Sequence, residues 1–575
     1  MTIYGDLLAR GYFPKELPPA FFTDDFSSYA RTVAGREALK TYKPTSNLTE
    51  LVSYRLALPG ESGLVIRPLS VPHPWAFAAL AGVVAKHFRR LLRKAGVSKF
   101  ARSRPVYAVG QARAIRTLVK PSNLSREKSY VRGGATHLLK VDISQFYPSL
   151  YTHAVGWAID PQLRQRKNWA NTSLLGKKVD QLLMNMQGKV SQGIPIGNDL
   201  SFLLAEIVLG QVDRAARGPK DRSYRWFDDY EFACESRAEA EDVLRRLNRA
   251  LEAFRLRVNP GKTRIVDLPS PVGDGWQEEL REESKSAMSS TRNMVSYFDR
   301  AFRLRATFSD DPVLMYAMGA LFKVKPPRID VHRVATSCIT QAVLSEPGCA
   351  QKAFALLAFW DLNGASFDRP LLATTIDKLV EIHEYRGVSS DIAWALAFSI
   401  EHGVKLSRKT GKNLSRAEDD AVAIQALHAS SIGLAPGFSV NAMTADLKTA
   451  SCDGDHWLLL YESVRQGFIP ALQSVLSANA LFSDMLAKGV SFYRSTLPTY
   501  ATLVHPGGAP EWVITAWLDA KSRASATGLG EQPITKMIDT DLEALDREDK
   551  TVHELAQALI DRLTQHPVLA WEPYE

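Results

Sequence analysis

The residues most able to do chemistry are two adjacent acids, Asp228 and Asp229, in the run YRWFDDYEF at residues 224–232. Aromatic residues, which favour strands, surround the pair and predict two short strands joined by a tight turn that carries the acids. Carboxylates held this close repel each other and need a proton or a counter-charge. Mg²⁺ is the usual counter-charge, because it prefers carboxylate oxygen and leaves positions open for phosphate. An Asp-Asp pair alone is more often a solvated turn, so its meaning depends on the rest of the chain.

A third acid stands at the end of a predicted strand. Residues 137–146 read HLLKVDISQF, which predicts a short apolar strand that ends on Asp142, and a helix is predicted to begin near Tyr147. A carboxylate at the end of one strand can reach a metal that the acids of a neighbouring turn also bind. A lone aspartate in this position is commonly a helix cap, so the role of Asp142 depends on the acid pair.

A glycine-rich loop and a downstream lysine complete the set of candidate site residues. Gln192 and Gly193 belong to the segment QGIPIG, whose glycines permit a loop that approaches a ligand closely. Lys262 follows a predicted turn in the segment NPGKT. With Arg67 and Arg113 it would neutralise a triphosphate, and it is a candidate proton donor to pyrophosphate. The alternative for each of these cations is a solvated surface group.

These ordered pieces match the needs of nucleotidyl transfer. That reaction uses two metal ions about 3.5–4 Å apart, one to activate the attacking hydroxyl and one to hold the leaving group. We predict that Asp142 and Asp228 bridge both metals and that Asp229 supports them. The backbone carbonyl of Ile143 is a plausible further ligand. The expected cofactor is a pair of Mg²⁺ ions, for which Mn²⁺ could substitute.

The charge distribution indicates a surface that binds a polyanion. The whole chain carries a net charge of +9, but residues 51–200 alone hold 23 Lys and Arg against 6 Asp and Glu. Such an asymmetry is typical of nucleic-acid-binding proteins. No apolar run approaches the ~20 residues of a membrane span, the N-terminus lacks a secretory signal pattern, and the four cysteines are few and widely spaced. We therefore expect a cytoplasmic location and no membrane partner.

The order of predicted elements indicates the fold class. Between residues 137 and 268 the order is strand, helix, helix, strand–turn–strand, helix, strand, which predicts a small, largely antiparallel sheet backed by helices. Beyond residue 270 strand signals nearly vanish. Amphipathic helical segments of 12–18 residues recur there between short Gly, Pro and Ser turns, and they extend to a predicted helix over 552–563. This texture predicts a domain of helical repeats, although no repeat motif is sharp enough to name.

The ordered set DISQFY, QGIPIG, WFDD and NPGKT resembles the palm of reverse transcriptases over about residues 60–268. The resemblance implies an α+β right-hand polymerase fold with three parts. An N-terminal arm would cover residues 1–60, reverse-transcriptase fingers and palm residues 61–270, and an all-α, HEAT-like repeat domain residues 271–575. The mixed sequence of residues 1–50, which has no long period, predicts that this arm is irregular and packs on the body. Trp226 stands where the family's Y-x-D-D motif has tyrosine, which bears on contacts to the primer terminus.

The same resemblance implies which residues surround the nucleotide. Tyr147 would occupy the position that stacks under the incoming sugar and excludes a 2′-hydroxyl, which implies dNTP substrates. The catalytic group would comprise Asp142, Asp228, Asp229 and Lys262. The implied nucleotide-binding residues are Arg67, Arg113, Ile143, Tyr147, Gln192, Gly193, Trp226 and Phe227.

Finer wording narrows the resemblance. The phrases GYFPKELPPAFF, DISQFYPSLYTHAVGWAI, GIPIGNDLSFLLAEI and IAWALAFSIEHGVKLS look like the bacterial abortive-infection (Abi) and related defence-associated reverse transcriptases, the unknown-group enzymes. This implies antiphage defence by DNA synthesis without a conventional template, primed from a protein hydroxyl. Tyr12 and Tyr29 are candidates for that hydroxyl that the sequence cannot decide between. The implied product is single-stranded DNA covalently attached to protein, and the implied assembly is a trimer or hexamer.

Two other functions stay open at this point. One is a conventional RNA-templated reverse transcriptase that copies a dedicated noncoding RNA. The other is a non-catalytic nucleic-acid-binding scaffold built on a decayed palm. Retention of the three acids, the Gln-Gly loop and Lys262 argues against decay, since a dead palm has no reason to keep all of them.

Overall fold

The structure of the protein is a computed structural model that describes residues 2–42, 51–60, 63–108, 113–273, 275–321, 329–362 and 368–495. The predicted helix at 552–563 and the rest of 496–575 lie outside the described residues. Within the described ranges the chain forms a helix-rich N-terminal region, a small antiparallel sheet with its helices, and a long all-α region.

The N-terminal region is helical and ends in a strand hairpin, and its elements are α1 (Ile3–Arg10), α2 (Asp24–Ala30), α3 (Val33–Thr41), β1 (Val52–Leu58) and β2 (Val65–Val71). The prediction that residues 1–50 are irregular was wrong, because α1, α2 and α3 are helices. The predicted packing of this arm on the body is confirmed, since Leu7, Leu8 and Phe26 are buried in the main core. β1 and β2 pair antiparallel over seven residues each. The predicted boundary between residues 60 and 61 would therefore divide a hairpin.

The next elements precede the central sheet in the chain, and they are α4 (Pro74–Lys86), α5 (Phe88–Ala95), β3 (Pro105–Tyr107), β4 (Ile115–Thr117) and α6 (Leu124–Arg132). Residues 75–95 read as one helix in the sequence, but the structure has two. The break is at His87, whose N–H is shared between Val83 O and Val84 O at 3.2 and 3.1 Å. The chain then restarts with Phe88 and Leu91 turned into the core.

The central part contains the predicted alternation of strands and helices, and its elements are β5 (His137–Asp142), α7 (Phe146–Ser149), α8 (Thr152–Ile159), α9 (Leu175–Met186), α10 (Asp199–Ala216), β6 (Ser223–Trp226), β7 (Asp229–Cys234), α11 (Arg237–Glu252) and β8 (Arg264–Asp267). The four strands form an antiparallel sheet in the order β6-β7-β5-β8. The predicted small antiparallel sheet backed by helices is confirmed.

Both faces of this sheet are covered, as the alternation of side chains along a strand allows. Leu139 and Val141 of β5 face the main core with Phe232 of β7. Their neighbours Leu138 and Ala233 face a second, smaller apolar cluster beneath α6. The sheet is therefore held rigidly from two sides, and only its ends are free to carry a site.

The described part of the chain beyond residue 275 is helical, with α12 (Trp276–Ala287), α13 (Thr291–Thr307), α14 (Val313–Leu321), α15 (Ile329–Ser345), α16 (Ala350–Leu362), α17 (Arg369–Arg386), α18 (Ser390–His402), α19 (Arg408–Leu414), α20 (Asp420–Ser431), α21 (Val440–Leu447), α22 (Trp457–Arg465), α23 (Gln473–Ser477) and α24 (Ala480–Ala487). Helices α12, α14, α16, α18, α20 and α22 pack successively in one row, and α13, α15, α17 and α19 form a second row beside it. Two-row stacking is the arrangement of a helical solenoid. A HEAT-like assignment remains a prediction.

The N-terminal residues bind directly to these helices. Arg55 O accepts a hydrogen bond from Ser389 N at 3.0 Å, and Trp394 Nε1 donates to Glu16 O at 2.9 Å. One apolar core runs through all three parts of the chain. Within the described residues, every helix is too short or too polar to cross a membrane.

Candidate active site

The three predicted acids meet at one end of the sheet. In the pairing of β5 with β7, Asp142 lies directly opposite Asp229, and in the pairing of β6 with β7, Trp226 lies opposite Asp229. Phe227 and Asp228 therefore form a two-residue turn beside the end of β5. Residues directly opposite in an antiparallel pair have Cα atoms about 4.5–5.5 Å apart. Acids 86 and 87 positions apart in the sequence are thus brought together by strand register.

The turn has a left-handed backbone conformation at Phe227, and hydrogen bonds hold both the N–H and the carbonyl of that residue. Phe227 has φ of 49°, the left-handed region that tight hairpin turns require. Its N–H donates to Ser103 Oγ at 2.9 Å, and its carbonyl accepts from the Arg225 guanidinium at 2.8 Å. Ile143 N donates to Asp228 O at 3.3 Å. These contacts fix the direction in which the two acids leave the sheet.

A buried ion network beneath the turn supplies the donor to Phe227. Arg225 is fully buried, and its guanidinium donates to both Glu206 oxygens at 2.9 Å and to Asp213 Oδ2 at 2.9 Å. Burial opposes the charge of Arg225, but the Asp213 and Glu206 carboxylates raise its pKa well above the usual value. Ser103 Oγ donates to Glu206 Oε1 at 2.8 Å. Four charged or polar side chains under the turn thus satisfy one another.

Sequence reasoning missed this network. Its signals were present but weak. Glu206 and Asp213 are seven residues apart, on one face of the largely apolar helix α10, and Arg225 interrupts an aromatic strand. Each could equally have been a surface charge. Only the packing of α10 against the sheet makes them partners.

Burial, together with the charges of the neighbouring acids, raises the pKa of two of the three carboxylates. Burial raises the pKa of Asp228, and Asp142 adds to the rise, while Arg67 and Lys262 oppose it. The pKa of Asp229 is raised to about 7, first by burial against the surrounding protein and then by Asp228 and Asp142. Part of the Asp229 surface is exposed to solvent, so its repulsion by the two neighbouring acids is screened but persistent.

Lys262 is the cation nearest to Asp142, and it compensates the acids only partly. Lys262 Nζ lies 3.5 Å from Asp142 Oδ2, and its side chain is 68% exposed. An exposed pair at this distance contributes little and can rearrange. The three carboxylates therefore keep a surplus of negative charge that a bound cation would relieve.

The donor set fits a hard divalent cation without forming a closed cage. Carboxylate oxygens at a strand end and a turn are the ligands that Mg²⁺ prefers, and Mg²⁺ usually takes one or two of them together with water and substrate phosphate. In the ranges that the structure covers, no group of three or more His, Cys, Asp and Glu side chains is arranged to hold a metal ion by itself. The site fits a metal that arrives with its substrate better than a resident structural ion.

Tyr147, which belongs to α7, lies near the acids and is half-buried. Burial raises the pKa of its phenol, and the Glu206 and Asp228 carboxylates add to this effect, so the hydroxyl stays protonated. The predicted loop packs on the same short helix, because Ile194 N donates to Tyr147 O at 3.2 Å. Gly193 has φ of 81°, and a Cβ there would lie 3.3 Å from Pro148 O. Gln192 is exposed beside it.

Arg67 reaches the site from β2, and Arg113 is bound to the start of α10. Arg67 is exposed, and its charge lowers the pKa of both Asp228 and Tyr147. Arg113 Nε donates to Asp199 Oδ1 at 2.8 Å, and the same guanidinium donates to Phe13 O and Gly197 O. The predicted role of Arg113 in nucleotide binding remains a prediction. Its guanidinium is occupied in anchoring the loop and the start of α10.

The remaining predicted residues lie in the turn and the adjacent backbone. The Trp226 and Phe227 rings contact each other edge-on, with 5.1 Å between the ring centres. Phe227 also packs against Phe202 of α10, with 5.4 Å between the ring centres. The side chain of Ile143 is buried, and its backbone pairs with Val258. The contacts of Trp226 and Phe227 support the turn, and direct roles for these three residues in nucleotide or metal binding remain predictions.

A comparison with protein families decides the type of domain. The family model described as "Reverse transcriptase (RNA-dependent DNA polymerase)" matches residues 92–288, a stretch that includes Asp142, Asp228, Asp229 and Lys262. Residues 92–288 form a reverse transcriptase domain. The protein is accordingly a nucleotidyltransferase of the reverse-transcriptase type. Reverse transcriptase domains generally use divalent metal ions, typically Mg²⁺.

Similar solved structures include two yeast telomerases. The apo telomerase from Candida tropicalis is 12% identical over 70% of this chain and 74% of that chain, with a TM-score of 0.29. The telomerase from Candida albicans in complex with a TWJ fragment of telomeric RNA is 11% identical over 64% and 68%, with a TM-score of 0.27. Similarity at this level carries no argument about function. No curated protein matches the sequence.

Proposed function

We propose that this reverse transcriptase domain synthesises DNA from dNTPs at the site formed by Asp142, Asp228 and Asp229, with Mg²⁺ as the cofactor. The observation that carries the proposal is the strand register that sets Asp142 opposite Asp229, one residue from the tip of a rigid turn. The raised pKa of Asp229 supports it, since a site with surplus negative charge is built for a cation.

In this proposal Asp142 and Asp228 hold two Mg²⁺ ions, with Asp229 and the Ile143 carbonyl as supporting ligands and Mn²⁺ as a substitute. When bound, the ions lower the pKa of the attacking hydroxyl and neutralise charge on the leaving pyrophosphate. Every other function falls to the chain itself. The buried network under Phe227 keeps the acids in position, so that they need not reorganise during the reaction.

The surrounding residues orient the nucleotide. Arg67 and the exposed amine of Lys262 bind triphosphate oxygens in this proposal, and Lys262 donates a proton to pyrophosphate. Tyr147 is the candidate for selecting deoxyribose. Its backbone is bonded to Ile194 of the loop, which limits how far the ring can retreat from a 2′-hydroxyl.

The finer function that we propose is antiphage defence of the abortive-infection type, in the bacterial cytoplasm. Its support is the resemblance of four sequence phrases to the Abi group, and it includes template-independent synthesis, protein priming and assembly as a trimer or hexamer. Tyr12 and Tyr29 are poor candidates for a priming hydroxyl. Tyr12 is fully buried and donates to Pro72 O, and Tyr29 is buried and donates to Asp484.

A single gel experiment tests these statements together. Purified full-length protein is given Mg²⁺ and labelled dNTPs without template, and we expect label that stays with the protein after denaturation and is released by protease. Asp228→Asn should abolish incorporation. Asp221→Asn is the matched control, because Asp221 is exposed and has φ of 59°, a conformation that asparagine adopts readily.

The alternatives predict different gels. Incorporation only after addition of RNA template and primer would favour conventional copying of a noncoding RNA and refute template independence. Incorporation that Asp228→Asn does not change would refute the site. No incorporation by the parent under any of these conditions would favour the scaffold.

A further inference from the structure

One side of the palm carries arginines layered over aromatic rings, which we call the ladder. The Arg255 guanidinium carbon lies 5.2 Å from the ring centre of Tyr151 and 5.9 Å from that of Trp157. The Arg164 guanidinium carbon lies 5.8 Å from Trp157 and 4.6 Å from Phe254. Both arginines are exposed, and Tyr151 and Trp157 are half-buried.

The ladder lies close to the acids along the backbone. From Arg255 the chain runs four residues to Asn259, whose N–H donates to Asp142 O at 2.7 Å. Four residues of extended chain span at most about 14 Å. On the other side, Thr152, next to Tyr151, donates its N–H to Ser191 O of the glycine-rich loop at 2.9 Å. A strand at the active site could therefore reach the ladder within a few nucleotides.

The far end of the ladder meets a second feature, a cluster of cations that we call the α5 patch (Lys86, Arg90, Lys94, Lys178 and Arg214). The two are joined through Asp160, which precedes the turn of Arg164 and is bound by Arg90 at 2.5 Å. Burial lowers the pKa of Lys94, and the nearby charges of Arg90 and Arg214 lower it further against the opposing effect of Asp160. Lys86, Arg90 and Lys178 surround His87 in the same way, because their charges add to the effect of burial in lowering its pKa. The patch therefore holds like charges close together.

The α5 patch has surplus charge because the described acids of this part of the chain are already engaged. In the described residues between 63 and 200, each acid has a cationic partner: Glu127 has Arg102, Asp142 has Lys262, Asp160 has Arg90, Asp180 has Lys177 and Asp199 has Arg113. Lys86, Lys178 and Arg214 are exposed. Arg214 lies twelve residues along α10 from Phe202 at the catalytic turn, about 18 Å along a helix.

We propose that the ladder and the α5 patch together form a binding track for single-stranded nucleic acid that leads to or from the active site. Guanidinium planes and aromatic rings stack on unpaired bases of any sequence, and closely spaced cations bind the phosphates between them. A duplex fits less well, because its bases are not free to stack. The proposal rests on the polymerase function above only for the direction of the strand.

Binding of labelled 20-nucleotide oligomers, measured by anisotropy over a series of salt concentrations without dNTP or metal, tests the track. The probes are single-stranded DNA, single-stranded RNA and a DNA duplex. For single strands, each lost phosphate contact reduces the slope of log affinity against log salt by about 0.7. Lys86→Gln with Lys178→Gln and Arg214→Gln should reduce the slope by about 2. Arg164→Gln with Arg255→Gln, which removes stacking contacts, should lower the affinity for single strands and change the slope little.

The matched control is a triple variant of exposed cations elsewhere, Lys40→Gln, Arg237→Gln and Lys409→Gln, each of which sits in an exposed ion pair. It should leave the slope nearly unchanged. The relative affinities of the DNA and RNA probes identify the strand. The ladder variants should weaken binding of single strands more than that of the duplex.

Three results would overturn the proposal. The ladder variants could bind the oligomers as the parent does, or the control triple could be as defective in binding as the patch triple. Anionic vesicles could also bind as tightly as the oligomers, with the same dependence on Lys86, Lys178 and Arg214. Failure of the polymerase proposal is separate. Asp228→Asn should lose incorporation and keep oligomer binding, so an inactive protein that still binds through the track refutes only the catalytic proposal.

Discussion

Substitution of Arg225 by methionine should destabilise the protein and misplace the catalytic turn at the same time. The substitution removes the cation from a site that is closed to water and leaves Glu206 and Asp213, which are 1% and 2% exposed, without their common partner. Removing one member of a buried ion pair costs about 3–5 kcal/mol. A typical domain has only about 5–15 kcal/mol in total, so this would be a large fraction of the free energy of unfolding.

The loss should depend on pH in a defined direction. With Arg225 gone, the burial that raises the pKa of Glu206 in the folded state loses its largest opposing contribution, the Arg225 charge. Such a group destabilises the fold when charged and stops doing so when it takes up a proton. The gap in stability between Arg225→Met and the parent should therefore narrow as pH falls from 8 to 5.

Urea unfolding at several pH values measures the effect, and Arg222→Met is the matched control. Arg222 is three residues away on the same hairpin, but it pairs with the exposed Glu235 at 2.8 Å, and exposed pairs contribute about 0–1 kcal/mol. The triple variant Arg225→Met, Glu206→Gln, Asp213→Asn should recover much of the stability without recovering incorporation, because Phe227 O still lacks its donor. Equal losses for Arg225→Met and Arg222→Met would refute the reasoning.

Three further predictions concern residues around the acids. Because the pKa of Asp229 is raised to about 7 from 3.8, metal-free protein should lose stability as pH rises from about 4 to 7, and Asp229→Asn should remove that loss. Mg²⁺ affinity, measured by calorimetry, should increase over the same pH range. Gly193→Ala should lower the free energy of unfolding by about 1 kcal/mol or more in thermal unfolding and should lower incorporation, because φ of 81° strains alanine and its Cβ would press on Pro148 O. Gly261→Ala, in a more open position, should lower the free energy of unfolding less. Arg113→Ala should lower stability by leaving the buried Asp199 without its partner, yet the KM for dNTP should stay unchanged in steady-state incorporation assays, and a raised KM would support its predicted role in nucleotide binding.

The sequence by itself determined the local parts of this protein. Aromatic residues around Asp228 and Asp229 predicted the hairpin, an apolar run predicted the strand that ends on Asp142, and helical periodicity predicted the all-α region after residue 270. These features depend on neighbours in the chain, because strand and helix periods are written into successive side chains. Prediction from local sequence was wrong in residues 1–41, where short helices lie between turns and prolines. It was also wrong at His87, where one predicted helix is divided into two.

Only the tertiary structure decided which distant residues became partners. Arg225 carries a charge that could have met water, but the packing of α10 against the sheet turned it toward Glu206 and Asp213. Arg113 likewise pairs with Asp199 at the start of α10, 86 positions away in the sequence. The ladder joins Tyr151 to Arg255 across about a hundred residues of chain. Such pairings follow from the register of strands and the fit of helix faces, which no short stretch of sequence contains.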